Sequence, residues 1–269
     1  MRLTPLLAAA ALLAAASPLA AQTPPAASGL VNPRAGPPEL VEDAALAAAI
    51  ASPTRTEAER TRDAARHPYE SMTFWGLRPG LTVVEFEPGG GWWRHILEPY
   101  AQATGGRYVA ADDLAALQAL PEGGADMVLV ARAIHGWARQ PGETDAHMTA
   151  IARALKPGGV LAVEQHRAEE GLNAAETASS GYVSESYVIQ AAQRAGLALD
   201  ARSELNANPN DDRDHAFGVW TLPPTRSSRN RDGSRVLTDA ERAEYDAVGE
   251  SDRMTLRLRK AESAGDGQP

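Results

Sequence analysis

Short apolar runs at residues 82–86, 107–110, 127–131 and 160–165 alternate with stretches that can form helices. Parallel neighbours in a sheet need long crossover connections, and helices are what usually supply them. The alternation therefore predicts an α/β sandwich around a mainly parallel sheet. Helices are expected at residues 40–50, 56–67, 70–75, 92–100, 113–120, 145–155, 184–194 and 238–248. Two of them open with a capping-box pair, Thr56 with Glu59 and Thr238 with Glu241. Ser184 is placed to cap a third, and His67, before Pro68, to cap a helix end. A further strand is expected at 197–205. Met254, Leu256 and Leu258 alternate with Thr255, Arg257 and Arg259, which marks a last strand with one wet face, free to pair antiparallel.

Composition narrows what such a fold can do. The absence of cysteine excludes disulfide scaffolds, zinc–thiolate sites, iron–sulfur clusters and thiol nucleophiles. A net charge of −9 argues against nucleic acid or anionic lipid as a partner. Lys156 and Lys260 are the only lysines, so Schiff-base chemistry is a poor fit. Residues 1–21 read as a secretory signal peptide: Arg2, an apolar run, and small residues before Gln22. The expected organisation is that leader, a flexible Pro/Ala-rich spacer at 22–39, one domain at 40–262 and a disordered tail at 263–269. Within the domain, residues 206–237 form a long polar loop or lid. No later stretch is apolar enough for a membrane span, so an exported, periplasmic protein is expected.

The strongest chemical signal is Glu87-Pro88-Gly89-Gly90-Gly91 between the first strand and a helix. Glycines let the backbone approach a ligand closely, and a helix amino end favours an anion. An isolated glycine triplet is equally compatible with a plain turn. Asp112, at the end of the second strand, can accept from ribose hydroxyls, while Asp113 fits a helix N-cap. His135 and His166 follow the third and fourth strands and belong on the sheet's carboxyl edge. There a histidine can act as general base or simply fix a loop. Arg132 and Arg167, beside them, are candidate carboxylate clamps, with pairing to Glu87 or Glu164 as the alternative. Trp92, Trp93, Trp137 and Trp220 could line a pocket or pack in the core. His215 with Asp211, Asp212 and Asp214 reads as a solvated loop cluster, and no metal site is expected.

The series Glu85-Phe86-Glu87-Pro88-Gly89-Gly90-Gly91, Ala125-Asp126-Met127-Val128-Leu129-Val130 and Leu155-Lys156-Pro157-Gly158-Gly159 resembles the motif series of class I S-adenosylmethionine-dependent methyltransferases. More narrowly, Arg66-His67-Pro68, His135-Gly136-Trp137, His166-Arg167, Asn206-Ala207-Asn208-Pro209 and Gly249-Glu250-Ser251-Asp252-Arg253-Met254 are similar to an exported bacterial group of predicted methyltransferases. The resemblance implies a Rossmann-like sandwich, mainly parallel with a terminal antiparallel strand. It implies S-adenosyl-L-methionine as cofactor, held by Glu85, Gly89, Gly90, Gly91 and Asp112. A small-molecule acceptor would lie near His135 and His166. Two departures stand out. Glu87 occupies the position of the family's first glycine, where a carboxylate would repel the cofactor's own unless it points away or meets an arginine. The interval 112–126 is too short for the strand that usually follows the second, so one usual strand is expected to be missing, with part of the adenine wall.

Two functions stay open on this reading: methyl transfer, and a non-catalytic ligand-binding or accessory role on the same fold. A nicotinamide oxidoreductase fits worse, because Arg94 stands where Gly-x-Gly-x-x-Gly needs its last glycine.

Overall fold

The computed structural model describes residues 43–262. The expected leader, spacer and tail lie outside the described residues, as do the first residues of the helix expected at 40–50, which is seen as Ala44–Ile50. Six strands form one mixed sheet: β1 (Thr82–Phe86), β2 (Arg107–Ala111), β3 (Ala125–Ala131), β4 (Leu155–His166), β5 (Leu197–Ser203) and, after β6 (Ala216–Val219), which stays outside it, β7 (Arg253–Lys260). Their order is β2-β1-β3-β4-β7-β5. β1 to β4 run parallel, and β7 is antiparallel to both β4 and β5. This is the Rossmann-like sandwich that the resemblance implies, with the last strand wedged in antiparallel.

Alternation along the strands feeds two apolar layers, because successive side chains leave opposite faces. On one face Val83 and Leu129 pack with Trp75, Trp93, Ile96 and Tyr100. On the other, Val84, Phe86, Val128 and Val130 pack with Ile151, Val188 and Leu256. The chain leaves β1 outward to β2 and then returns to β3 on β1's other side. That reversal opens a crevice at the strands' carboxyl ends, where ligands of such sheets bind. Among the described residues, β2 and β3 are joined through a single helix, Leu114–Gln118. The expected strand is indeed absent, and β2 becomes the sheet's edge, with Arg107 and Ala110 exposed.

Both capping boxes form, with side chain and backbone reciprocally bonded at Thr56/Glu59 and Thr238/Glu241. Other expectations shift for physical reasons. The helix expected over 56–67 is split at Arg62 into Glu57–Thr61 and Asp63–Arg66; it ends, as expected, at His67, which turns into the left-handed region (φ 43) before Pro68–Trp75 starts with proline at its first position. His67 caps nothing with its ring; Nδ1 meets Asn206 Oδ1 at 3.2 Å. The helix expected from 92 starts at Arg94 and runs to Thr104, since both tryptophans before it are drawn into the core. Lys156-Pro157-Gly158-Gly159 is part of β4, with Leu155 paired to Ala125 across a register shift. Ser184 holds the N-cap position of Glu185–Arg194, but its hydroxyl bonds no helix amide. Residues 206–237 are pinned to the body: Val219 N donates to Ser180 O at 2.8 Å, and Arg242, from helix Asp239–Val248, donates to Thr221 O at 2.6 Å. No helix among the described residues is long and apolar enough to cross a membrane.

Candidate active site

A cavity of ≈ 390 Å³ opens at the carboxyl ends of β1, β3 and β4, at the reversal between β1 and β3. Its floor is Glu87 to Gly90 after β1, Ala131 to Ala133 after β3, and His166 at the end of β4. Val219, Trp220, Pro223 and Pro224 of the long loop form the opposite wall, and Arg62, Arg66, Glu250 and Ser251 close one side.

The glycine strip is bare by necessity. Gly89 has φ 56, and a Cβ on Gly90 would meet nothing within 4 Å, so both leave backbone open to the cavity. Gly91 serves the turn instead: its N–H donates to Pro88 O at 3.1 Å, and it does not line the cavity. Glu87 takes the first glycine's backbone conformation (φ 52) without being glycine. Its carboxylate swings aside, accepting from Trp137 Nε1 at 3.0 Å with His147 Nε2 at 3.9 Å. Trp137 is in turn stacked on His147, with ring centroids 4.4 Å apart. The repulsion expected from Glu87 is thus relieved by a tryptophan and a histidine, not by an arginine.

His135 and His166 come together on the cavity wall, with ring centroids 6.0 Å apart. His135 packs edge-on against Trp220. His166 Nδ1 lies 2.6 Å from Ser251 Oγ. Burial, with Arg139, lowers the His135 pKa to about 4, and burial with Arg132 and the neighbouring His135 holds His166 well below its usual 6.5. Near-neutral titration, the expected basis for a general base, is therefore corrected: both rings are uncharged at neutral pH because low-dielectric surroundings and guanidinium groups disfavour the cation.

Other expected residues fall elsewhere. Glu85 is buried behind the strip, accepts from Tyr108 Oη at 2.8 Å, and is pushed up to about 7 by burial. Asp112 is exposed just beyond the edge strand and does not line the cavity. Asp113 caps Leu114–Gln118. Trp92 and Trp93 are core residues; Trp92 carries the guanidinium of Arg66 on its ring, 4.9 Å from the centroid. Of the four tryptophans considered, only Trp220 reaches the cavity. Arg167 is no clamp: it is tied to Asp252, Glu185 and Glu204. Asp211 is not solvated but buried, accepting from Tyr182, Arg213 N, Asp252 N and His215. It pins the loop, and with its oxygens so occupied the Asp211–Asp212–His215 group reads as a structural knot.

Arg132 does face the cavity, in a left-handed conformation (φ 60). Strain at Glu87 and Arg132, two of the five non-glycine residues with positive φ among the described residues, is concentrated at one site, as functional geometry often requires. Arg62, Arg66, Glu250 and Ser251 were not among the expected site residues. The signal for them lay in Arg66-His67-Pro68 and Gly249-Glu250-Ser251, segments 184 residues apart that meet where Arg66 Nε reaches Glu250 at 3.0 Å.

No protein-family model and no curated protein matches this chain. Solved structures with a similar chain path include 1,6-didemethyltoxoflavin-N1-methyltransferase of Burkholderia thailandensis, with its namesake ligand and S-adenosylhomocysteine bound (14% identity, TM-score 0.40, covering 78% of this chain and 80% of that one). Another is the N-methyltransferase NodS from Bradyrhizobium japonicum (14%, TM-score 0.43, 75% and 97%). A third is a SAM-dependent methyltransferase from Aquifex aeolicus (18%, TM-score 0.41, 54% and 86%). What these proteins share with this chain is the Rossmann-like fold.

Proposed function

We propose that the protein transfers a methyl group from S-adenosylmethionine to a small-molecule acceptor, and that it does so after export through the leader expected at 1–21. One observation carries the transferase reading. At the sheet's reversal point a strip of bare backbone, Gly89–Gly90, lines one cavity with Arg62, Arg66 and Arg132, each of which carries a buried side-chain nitrogen without a hydrogen-bond partner in the protein. The bare strip suits the carboxylate of the cofactor, and the arginines beside it suit a second anion. The methionine end of the cofactor suits the strip, because Glu87 is held away by Trp137. The nucleoside end has less support: Asp112 lies off the cavity and the edge strand leaves that side open.

When bound, the cofactor supplies an electrophilic methyl group. The chain's own residues orient and dehydrate the acceptor. The loop wall of Val219, Trp220 and Pro223 excludes water. His135, uncharged and lining the cavity, offers a ring nitrogen that orients the acceptor by a hydrogen bond, while His166 is held by Ser251. Calorimetric titration with S-adenosylhomocysteine tests the reading: binding is expected, and no heat even at millimolar ligand rejects it. The exposed position of Asp112 favours the second reading, a binding protein that no longer turns over. S-adenosylmethionine co-purifying with the protein would count against that alternative.

A further inference from the structure

Four guanidinium groups around this cavity face two carboxylates. Glu250 is shared by Arg62 (2.8 Å), Arg66 (3.0 Å) and Arg253. Glu164 forms an ion pair with Arg253 at 3.0 Å, and its other oxygen accepts from Trp93 Nε1. Glu87, the other acid that lines the cavity with Glu250, is turned to Trp137. Arg62 Nη2, Arg66 Nη1 and Arg132 Nε are buried atoms without a partner in the protein, and Arg66 as a residue is only 1% exposed. Unpaired buried guanidinium N–H groups are costly, and these three belong to residues that line one cavity, where a small side-chain rotation would turn them towards an anion. The cofactor alone does not supply the balance. Its carboxylate is outweighed by its ammonium and sulfonium, so binding it adds positive charge to a wall already in excess.

Arg62, Glu250, Pro223 and Pro224 also border a neighbouring cavity of ≈ 490 Å³, lined further by Ala58 and Ala65, which does not touch the glycine strip. Its apolar lining would receive a carbon body; of its two arginines, Arg226 is paired to Asp246, and Arg62 stands at the junction with the first cavity. We propose that the acceptor is an amphiphilic oxyanion, a carboxylic acid or phosphate ester. Its apolar part lies on Ala58, Ala65 and Pro223, and its anionic group is held by Arg62, Arg66 and Arg132. This rests on the transferase reading, since it assigns the second substrate of that reaction.

Calorimetry on the intact protein, at constant ionic strength, separates the possibilities. The probes are benzoate and inorganic phosphate, each titrated with and without saturating S-adenosylhomocysteine. Anion binding is expected to persist beside S-adenosylhomocysteine, with benzoate tighter than phosphate. Arg132→Gln and Arg62→Gln should each weaken the anions by about tenfold and S-adenosylhomocysteine by less than about threefold. Arg132 donates no side-chain hydrogen bond within the protein, so its replacement should fold, and the competition experiment needs no variant at all. Competition between anion and S-adenosylhomocysteine, or equal weakening of both by the variants, would assign the arginines to the cofactor's carboxylate. The acceptor proposal would then fall while the transferase reading stood. Silence of both anions at tens of millimolar, with S-adenosylhomocysteine bound, overturns the acceptor proposal alone. Anion binding without any S-adenosylhomocysteine binding overturns both.

Discussion

Replacing Glu87 by glycine and, separately, by alanine isolates the backbone strain at the heart of the site. Both variants remove the carboxylate and with it the 3.0 Å bond from Trp137 Nε1. They differ only in a Cβ placed on a backbone at φ 52. A non-glycine residue in the left-handed region costs about 1–2 kcal/mol, because Cβ crowds the following carbonyl. Glycine normally loses about 0.4–1 kcal/mol to alanine through the entropy of the unfolded chain. The balance favours Glu87→Gly over Glu87→Ala by about 1 kcal/mol, the reverse of the ordinary order. In a domain of this size that is a difference of about 2–4 °C in melting temperature. Thermal and urea unfolding of the two variants side by side read it directly. Should alanine prove the more stable, the idea that Glu87 occupies a glycine's conformation here is wrong, and the match of this loop to an acid-x-Gly motif goes with it.

Glu85 gives a pH signature. Burial raises its pKa from the ordinary 4.5 to about 7, so the folded protein binds a proton that the unfolded chain releases between those values. Its contribution to stability is full below pH 4.5, declines as pH rises towards 7 and is lost above. Glu85→Gln should flatten that decline, measured as urea midpoints across the range. His135 has the opposite sign: its pKa is lowered to about 4, so its contribution is present above 6.5 and is lost as pH falls towards 4. His135→Gln should therefore gain relative acid stability in the same experiment. Glu164 and Arg253 form an ion pair with both side chains almost fully buried. Glu164→Ala should cost about 3–5 kcal/mol in denaturant unfolding, because it leaves buried Arg132 and Arg253 with only Glu250, already shared with Arg62 and Arg66, to balance them. Finally, export predicts that N-terminal sequencing of the periplasmic protein begins at Gln22; a chain still starting at Met1 in the cytosol would refute the leader.

What the sequence made legible is local, and what it hid is long-range. Strand positions, both capping boxes and the shortened interval after β2 follow from periodicity, side-chain chemistry within a turn, and residue count. None of these needs knowledge of what the segment packs against. The edge position of β2 was accordingly foreseeable, whereas its effect on Asp112 was not, because that depends on how far the cavity extends beyond the sheet. Glu87 shows the limit sharply. Its charge predicted a conflict with an anionic ligand, but the resolution lay in Trp137 and His147, some 50 and 60 residues away in sequence, meeting a carboxylate whose direction is set by a positive φ. The arginines were harder still. Arg66 ends a short helix and Arg62 joins it to the one before, in what reads as a plain amphipathic stretch, and they acquire meaning only because β7 enters the sheet between β4 and β5. That insertion carries Glu250 and Ser251, on the segment leading into β7, to the carboxyl end of β4, beside His166. A parallel last strand would have delivered them to the other end of the sheet. The antiparallel pairing that looked like a topological detail in the alternation of Met254, Leu256 and Leu258 is thus what brings an acid and a hydroxyl into an arginine-lined pocket.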